Sequence, residues 1–247
     1  MTPSRPSRPP PAHALALALA LALAGGLAGC ASPDTPLDPD ERLAVYVAAW
    51  EARQAGEQGE PGAVRDRELP DPHLLQLHVE RLALDFPEHV PTLFFGGLVA
   101  YERGEREKAQ RYLDLALKLA PRHPEAAVLR ARVAIDDGGL PLARRVLERQ
   151  VVLAPDHAGV REALAGVLFL QGDLEAAARV LDAAEHLGAP AWRIAYHRGL
   201  VAEHEGDAEA AAAHYERCLA AAPDHAPAAA RLLGLEATAA GGTPGPR

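Results

Sequence analysis

The chain has 247 residues and a formal net charge of −9, and 49% of its residues are apolar but only 4% are aromatic. Much of the apolar content is alanine, and no stretch alternates β-branched or aromatic residues with polar ones, so strands have little support and an all-α fold is expected. The segment before Cys30 holds two arginines and no acid, so the remainder carries −11. That charge repels nucleic acid and anionic lipid head groups, and we expect no nucleic-acid partner.

Residues 1–29 have the three parts of a secretory signal peptide. Arg5 and Arg8 provide the positive start, and residues 12–23 form an apolar run that only His13 interrupts. The run is too short to span a bilayer as a mature helix. The segment therefore predicts export and removal of residues 1–29.

Residues 27–30, Leu-Ala-Gly-Cys, resemble the lipobox of bacterial lipoproteins and directly follow the apolar run. Small side chains at Ala28 and Gly29 give a peptidase access to the backbone, and the Cys30 thiol is the nucleophile that takes a diacylglycerol. The resemblance implies cleavage before Cys30 and acylation with fatty acids such as palmitate, and two or three acyl chains anchor a protein stably. The alternative is an ordinary secretory signal with an accidental cysteine.

The residue after the cysteine is Ala31 and not aspartate. In lipoproteins of organisms with two membranes this favours transfer to the outer membrane, facing the periplasm. In an organism with one membrane the anchor would lie on the outer face of the cytoplasmic membrane. Residues 30–39 are predicted to be the lipidated cysteine with a proline-rich tether, and residues 240–247 a disordered tail.

A period of 34 residues organises the rest of the chain. Five sets of positions repeat at that spacing: Gly104, Gly138, Gly172 and Gly206; Ala109, Ala143, Ala177 and Ala211; Leu113, Leu147, Leu181 and Tyr215; Gly97, Ala131, Ala165 and Gly199; and Pro121, Pro155 and Pro223. The glycines fit left-handed helix ends, the small residues fit close helix packing, and the prolines fit helix stops.

This pattern resembles the tetratricopeptide repeat, over about residues 90–223. This chain departs from the family pattern at the positions where the family has tryptophan and tyrosine, because most of them hold alanine or leucine here. The resemblance implies an all-α solenoid of about four to five helix pairs within residues 40–239. The clear repeats would be 90–123, 124–157, 158–191 and 192–225.

Weaker elements flank these repeats. Helices are expected at 40–55 and 73–86, with an enlarged turn at 56–70 between them, and a closing helix at 226–239. Leu43, Val45 and Trp50 are the predicted core residues of the first helix.

In the tetratricopeptide repeat family the first helix of each repeat lines a concave groove. The resemblance implies a partner-binding groove with these residues: Phe94, Leu98, Tyr101, Val128, Arg132, Ile135, Phe169, Tyr196 and Leu200; Glu162, Gly166 and Glu203 hold the remaining matching positions. Aromatic side chains and arginine anchor many interfaces. The family's carboxylate clamp is absent. The alternative is that several of these side chains simply pack between helices.

Other residues carry weaker signals. His89, His123, His157 and His225 share one repeat position, and their spacing of roughly 10 Å is too great for a shared zinc ion. Cys218 occupies a small-residue position and is expected to be buried and inert. No phosphate-binding loop, nucleophile elbow, HExxH or CxxC motif occurs. We therefore expect no enzymatic activity, no metal and no cofactor.

The sequence thus predicts a lipid-anchored scaffold for a protein or peptide ligand of a cell-envelope assembly, such as pilus, secretion or peptidoglycan machinery. The alternative is a periplasmic, chaperone-like holder of exported polypeptides.

Overall fold

The computed structural model describes residues 38–58 and 72–241, and the regular structure of these ranges is helical throughout. Eleven helices follow one another there: α1 (Pro39–Gln58), α2 (Pro72–Asp85), α3 (Val90–Glu102), α4 (Arg106–Leu119), α5 (Pro124–Asp136), α6 (Leu140–Leu153), α7 (Ala158–Leu170), α8 (Leu174–His186), α9 (Ala191–Glu205), α10 (Ala208–Ala221) and α11 (Ala226–Gly241). The predicted all-α fold is confirmed. None of the described helices is long and apolar enough to cross a membrane.

Several predictions concern residues outside the described ranges. The signal peptide, the lipobox with Cys30, and the tether up to residue 37 fall there, as do residues 59–70 of the expected turn and residues 242–247 of the expected tail. The predicted bounds are wrong at residues 39, 56–58 and 240–241, because these residues are helical and belong to α1 and α11.

A left-handed glycine separates the two helices of each pair from α3–α4 to α9–α10. The four glycines expected in these turns have φ values from 74° to 82°. In each turn the amide after the glycine donates to the carbonyl five residues earlier, as the Asp173 amide does to Leu168 O at 2.9 Å. A side chain at such a φ is strained, so the turn requires glycine.

Imidazole side chains begin several first helices. The Nδ1 atom of His123 accepts a hydrogen bond from the amide three residues later at 3.3 Å, and those of His157 and His225 do the same at 3.2 Å. Carboxylates of Asp173 and Asp207 cap the second helices α8 and α10 in the same way. These bonds satisfy amides that have no partner within the helix.

Small residues of the first helices lie against bulky residues of the second. A Cβ added to Gly97 would lie 2.7 Å from Leu113 Cγ, and one added to Gly199 would lie 2.5 Å from Tyr215 Cε1. The two middle repeats place a buried alanine and a buried leucine at the same positions: Ala131 with Leu147, and Ala165 with Leu181. Close packing within each pair therefore follows from the 34-residue pattern.

The first two helices extend the array before α3. Leu43 is buried in a cluster that includes Phe95 of α3, and the Trp50 ring packs edge-on against Phe95 at 6.1 Å. The prediction that Val45 belongs to the core is wrong, because Val45 is 65% exposed. The buried face of α1 follows residues 43, 46, 47 and 50, and Val45 lies off that helical stripe.

Helix α11 covers the other end. Ala228 is fully buried in the cluster around Tyr215, and Leu232 and Leu235 pack against that cluster. Leu233, on the same helix, is 64% exposed.

Candidate binding groove

The first helices of successive repeats lie side by side. Helix α3 contacts α5, α5 contacts α7, and α7 contacts α9. Among the described helices, the second helices α4, α6, α8 and α10 make no comparable contacts with one another. Because the first helices converge while the second helices spread, the stack curves with the first helices on its concave side. We call this concave side, formed by α3, α5, α7 and α9, the groove.

Most of the nine groove residues expected from the sequence retain some accessible surface. Arg132 is exposed, and seven others are partly buried: Leu98, Tyr101, Val128, Ile135, Phe169, Tyr196 and Leu200. Phe94 is only 6% exposed, and its ring lies 5.0 Å from that of His123, measured between centroids. Phe94 therefore packs between α3 and α5 and offers almost no surface to a ligand.

The accessible apolar residues lie along both halves of the groove. Val128, Arg132 and Ile135 share one face of α5, because residues four and seven positions apart lie on the same side of a helix. The Phe169 ring packs edge-on against His204 at 5.9 Å. Tyr196 packs edge-on against His225 at 4.6 Å.

Gly166 leaves a gap at the centre of the groove. It occupies the position of Arg132 one repeat later, on the helix that contacts α5. A Cβ added there would meet only His197 Cε1, at 3.7 Å. We call the space above Gly166 the notch.

The groove carboxylates already have partners within the protein. The Tyr101 hydroxyl donates to Asp136 Oδ2 at 2.8 Å, and burial together with this bond raises the pKa of Tyr101. Glu162 lies 3.3 Å from Arg193 Nη1 and 3.7 Å from His197 Nε2. Burial acts to raise the pKa of Glu162, but the nearby His197 imidazole and the charge of Arg193 outweigh burial and lower it.

Two further carboxylates lie at the ends of the groove. Glu203 accepts a 2.6 Å hydrogen bond from the Tyr215 hydroxyl and pairs with Arg231 at 3.0 Å. Glu102 accepts a 2.9 Å hydrogen bond from Trp50 Nε1. These contacts tie α9 to α10 and α11, and α3 to α1.

Glu125 links two consecutive repeats. Its oxygens lie 3.2 Å from His123 Nδ1 and 3.5 Å from His157 Nε2. The His123 Nδ1 atom either accepts from the Ala126 amide or, as N–H, donates to Glu125. The hydrogen bond that it donates is the main reason that the pKa of Glu125 is lowered to about 2, against the opposing effect of burial. A carboxylate with this pKa is ionised at neutral pH.

Sequence reasoning did not identify Glu102, Glu125, Asp136 and Arg193 as groove residues. Asp136 follows Arg132 by one helical turn, and Arg193 precedes Tyr196 by one helical turn, so each lies on a helix face that the family resemblance had already indicated. The groove is consequently more polar than the sequence indicated.

Arg132 differs from the other charged residues of the groove. It is exposed, and none of the hydrogen bonds or ion pairs within the described ranges involves its guanidinium. Its positive charge acts to lower the pKa of Tyr101, against the larger raising effects of burial and Asp136. Arg132 therefore offers an unpaired cation on the concave surface.

The remaining sequence candidates lie apart from the groove surface. Cys218 is fully buried, and burial raises the pKa of its thiol, which disfavours the reactive thiolate. The His89 ring interacts with Thr92 and Asp40 at 2.7 and 3.1 Å. Among the described residues no three histidine, cysteine or acidic side chains come together as metal ligands.

The helix pairs, the glycine turns and the concave first-helix face together define a repeat architecture, and a family model for the tetratricopeptide repeat matches residues 96–149, 130–191 and 172–226. These matches cover more than half of the chain. The chain belongs to the tetratricopeptide repeat family.

Several solved structures resemble the described fold, and two of the three named here are described as tetratricopeptide repeat proteins. TTC0263, a thermophilic member from Thermus thermophilus, is 16% identical with a TM-score of 0.63, and the match covers 81% of this chain and 100% of that one. PilF from Pseudomonas aeruginosa is 16% identical with a TM-score of 0.62, over 82% of this chain and 83% of that one. YrrB is 14% identical with a TM-score of 0.53, over 78% and 91%. At these identities the likeness shows the fold alone. A comparison with curated protein sequences gives no significant match.

Proposed function

We propose that this protein is a membrane-anchored tetratricopeptide repeat scaffold that binds a protein or peptide segment in its groove and thereby serves an assembly of the bacterial cell envelope. Proteins of this repeat family are typically scaffolds for protein interactions and not enzymes. The proposed anchor is the lipid carried by Cys30, at the outer membrane facing the periplasm. The groove supplies binding, and the tether before α1, residues 31–38, supplies reach from the membrane.

The observation that carries the binding function is the row of partly exposed apolar side chains on the first helices. Tyr101, Ile135 and Phe169 follow one another on α3, α5 and α7 at equivalent repeat positions. Each keeps part of its surface accessible on the concave side, where an extended segment could contact all three. The solved structure of YrrB, by its description, is that of a tetratricopeptide repeat protein with an unusual peptide-binding site, which supports the same class of ligand here.

Photocrosslinking in whole cells tests the groove. A photoreactive amino acid replaces Tyr101, Ile135 or Phe169 in the full chain, and the matched control carries it at Val152, which is 79% exposed on the second helix α6. We expect a discrete crosslinked protein from the groove positions and none from the control. Equal labelling from Val152 and from the groove would overturn groove binding.

The anchor is tested separately with Cys30→Ser. Without the thiol no thioether to diacylglycerol can form, so we expect either an unprocessed precursor or release of the protein from the membrane fraction. Fractionation followed by mass spectrometry of the N-terminus measures both. A Cys30→Ser protein that is cleaved before residue 30 and still retained in the membrane would contradict the lipid anchor.

A further inference from the structure

We infer that the groove selects an extended polypeptide segment with a single acidic side chain flanked by apolar side chains, and that this acidic side chain pairs with Arg132. The inference rests on the proposed groove function and adds the chemistry of the ligand. It depends on three features of the described residues: the distribution of ion pairs, the notch, and the accessible apolar surface on either side of Arg132.

The first feature is that the charges of the groove are internally matched except at Arg132. Each acidic residue of the first helices that faces the groove has a hydrogen-bond or ion-pair partner within the protein: Glu102, Glu125, Asp136, Glu162 and Glu203. Arg193 is held by Glu162. A cation on a bound segment would therefore gain little binding energy. A carboxylate on the segment can form an ion pair with Arg132, whose guanidinium pairs with no carboxylate of the described residues.

The second feature is the notch beside Arg132. Equivalent positions of neighbouring helices are roughly 8–10 Å apart. Gly166 has no side chain of its own at the position that Arg132 holds one repeat earlier, and only His197 Cε1 would lie within 4 Å of a Cβ added there. A ligand backbone can therefore approach α7 closely at this point while its acidic side chain reaches toward α5. A larger residue at position 166 would remove that space.

The third feature is that accessible apolar surface continues in both directions from Arg132. Leu98 and Tyr101 lie on α3, whereas Phe169 lies on α7 and Leu200 on α9. A segment that contacts both sides passes through the groove and does not end in it. The carboxylate that meets Arg132 is therefore a side chain within the segment and not a chain terminus.

The overall charge limits how acidic the segment can be. The chain beyond residue 29 carries a formal charge of −11, which repels a run of acidic residues at long range. One carboxylate can still pair with Arg132 at short range. Apolar neighbours then supply most of the contact area without adding repulsion.

The test uses three pools of synthetic decapeptides with blocked ends. Each pool has a fixed central residue, glutamate, glutamine or lysine, and flanking positions drawn from Leu, Ile, Val, Phe, Ala and Ser. A fourth pool has the glutamine centre and a free C-terminal carboxylate. The full chain, in detergent, is immobilised, and the retained fraction of each pool is measured at low salt and at 0.5 M salt.

For the wild-type chain we expect about fivefold greater retention of the glutamate pool than of the glutamine pool at low salt, and a smaller ratio at high salt. Arg132→Ala should reduce the ratio to about one, and Arg132→Glu should shift the preference to the lysine pool. Gly166→Leu should lower the retention of all pools. Arg149→Ala, which removes an exposed arginine from α6, is the matched control and should change nothing.

Equal retention of the glutamate and glutamine pools by the wild-type chain would overturn the inference, while crosslinking from the groove positions would still support the proposed function. Preference for the free-carboxylate pool would overturn it in favour of a ligand C-terminus. The inference also fails if Arg149→Ala abolishes the preference as Arg132→Ala does, since the effect would then be one of net charge. If no pool is retained, the inference is overturned as well, and crosslinking alone decides on the groove.

Discussion

Substitution of Gly199 by alanine tests the packing that defines the last repeat. Gly199 lies on α9 beneath the ring of Tyr215, and a Cβ added to it would lie 2.5 Å from Cε1 and 2.7 Å from Cδ1. The ring cannot easily yield, because Tyr215 is fully buried and its hydroxyl is hydrogen-bonded to Glu203 at 2.6 Å. Helix α9 must therefore move away from α10.

Two opposing effects decide the magnitude. Inserting a methyl group into a closely packed site costs about 1–3 kcal/mol, and an approach of 2.5 Å to a fixed ring places the cost near the upper value. Replacing glycine by alanine inside a helix contributes about 1 kcal/mol in the other direction. We therefore expect Gly199→Ala to lower the free energy of unfolding by about 2 kcal/mol, which in a domain of this size lowers Tm by about 4–8 °C.

The assay is thermal unfolding of the full chain in detergent, followed by circular dichroism, with Gly166→Ala as the control. At Gly166 the added Cβ would be 3.7 Å from its only neighbour, so that variant keeps the gain in helix propensity and should raise Tm. In a Tyr215→Leu background, Gly199→Ala should become stabilising, since alanine and leucine occupy these positions in the two middle repeats. A higher Tm for Gly199→Ala in the wild-type background would refute the reasoning.

Three other substitutions or modifications follow from the buried and charged groups. The pKa of Glu125 is lowered to about 2, so its ionised form stabilises the fold above pH 4.5 and this contribution is lost as the pH falls toward 2. Glu125→Gln should therefore lower the free energy of unfolding by about 1 kcal/mol at pH 5, after discounting for its partial exposure. Urea titrations should show a smaller difference between the two proteins at pH 3. Asp114→Ala removes the carboxylate 2.7 Å from the buried Arg130 and should cost about 2 kcal/mol, measured by urea unfolding, whereas Glu148→Ala at an exposed pair should cost less than about 0.5 kcal/mol. Cys218, buried and with a raised pKa, should react with a thiol reagent at pH 8 much more slowly in the folded chain than in urea; equal rates would contradict its burial.

The 34-residue period was sufficient to predict the helix pairs, their turns and their close contacts. These features depend on local chemistry: Gly104 and its equivalents adopt a left-handed φ, and the small residues face bulky ones sixteen positions later in the same repeat. Each repeat carries this information within its own residues. The all-α repeat fold could therefore be predicted from the sequence.

The resemblance to the repeat family predicted the positions of the groove residues, but it could not predict their accessibility. Phe94 occupies the same repeat position as Val128 and Tyr196, yet it is buried against the turn that begins α5, whereas the other two keep part of their surface. Val45 has an apolar side chain and is nevertheless exposed, because the way α1 packs on α2 and α3 turns another face inward.

The charge pattern of the groove was decided by the tertiary structure alone. Asp136 accepts its hydrogen bond from Tyr101, 35 residues away in the preceding repeat, and Glu162 pairs with Arg193 of the following one. Such pairs form between neighbouring repeats, so no single repeat contains both members. From the sequence, the family resemblance predicted that Arg132 belongs to the groove. Only the stacking of the repeats determined that its charge is left unpaired, because neutralisation depends on which side chains neighbouring helices bring within about 4 Å.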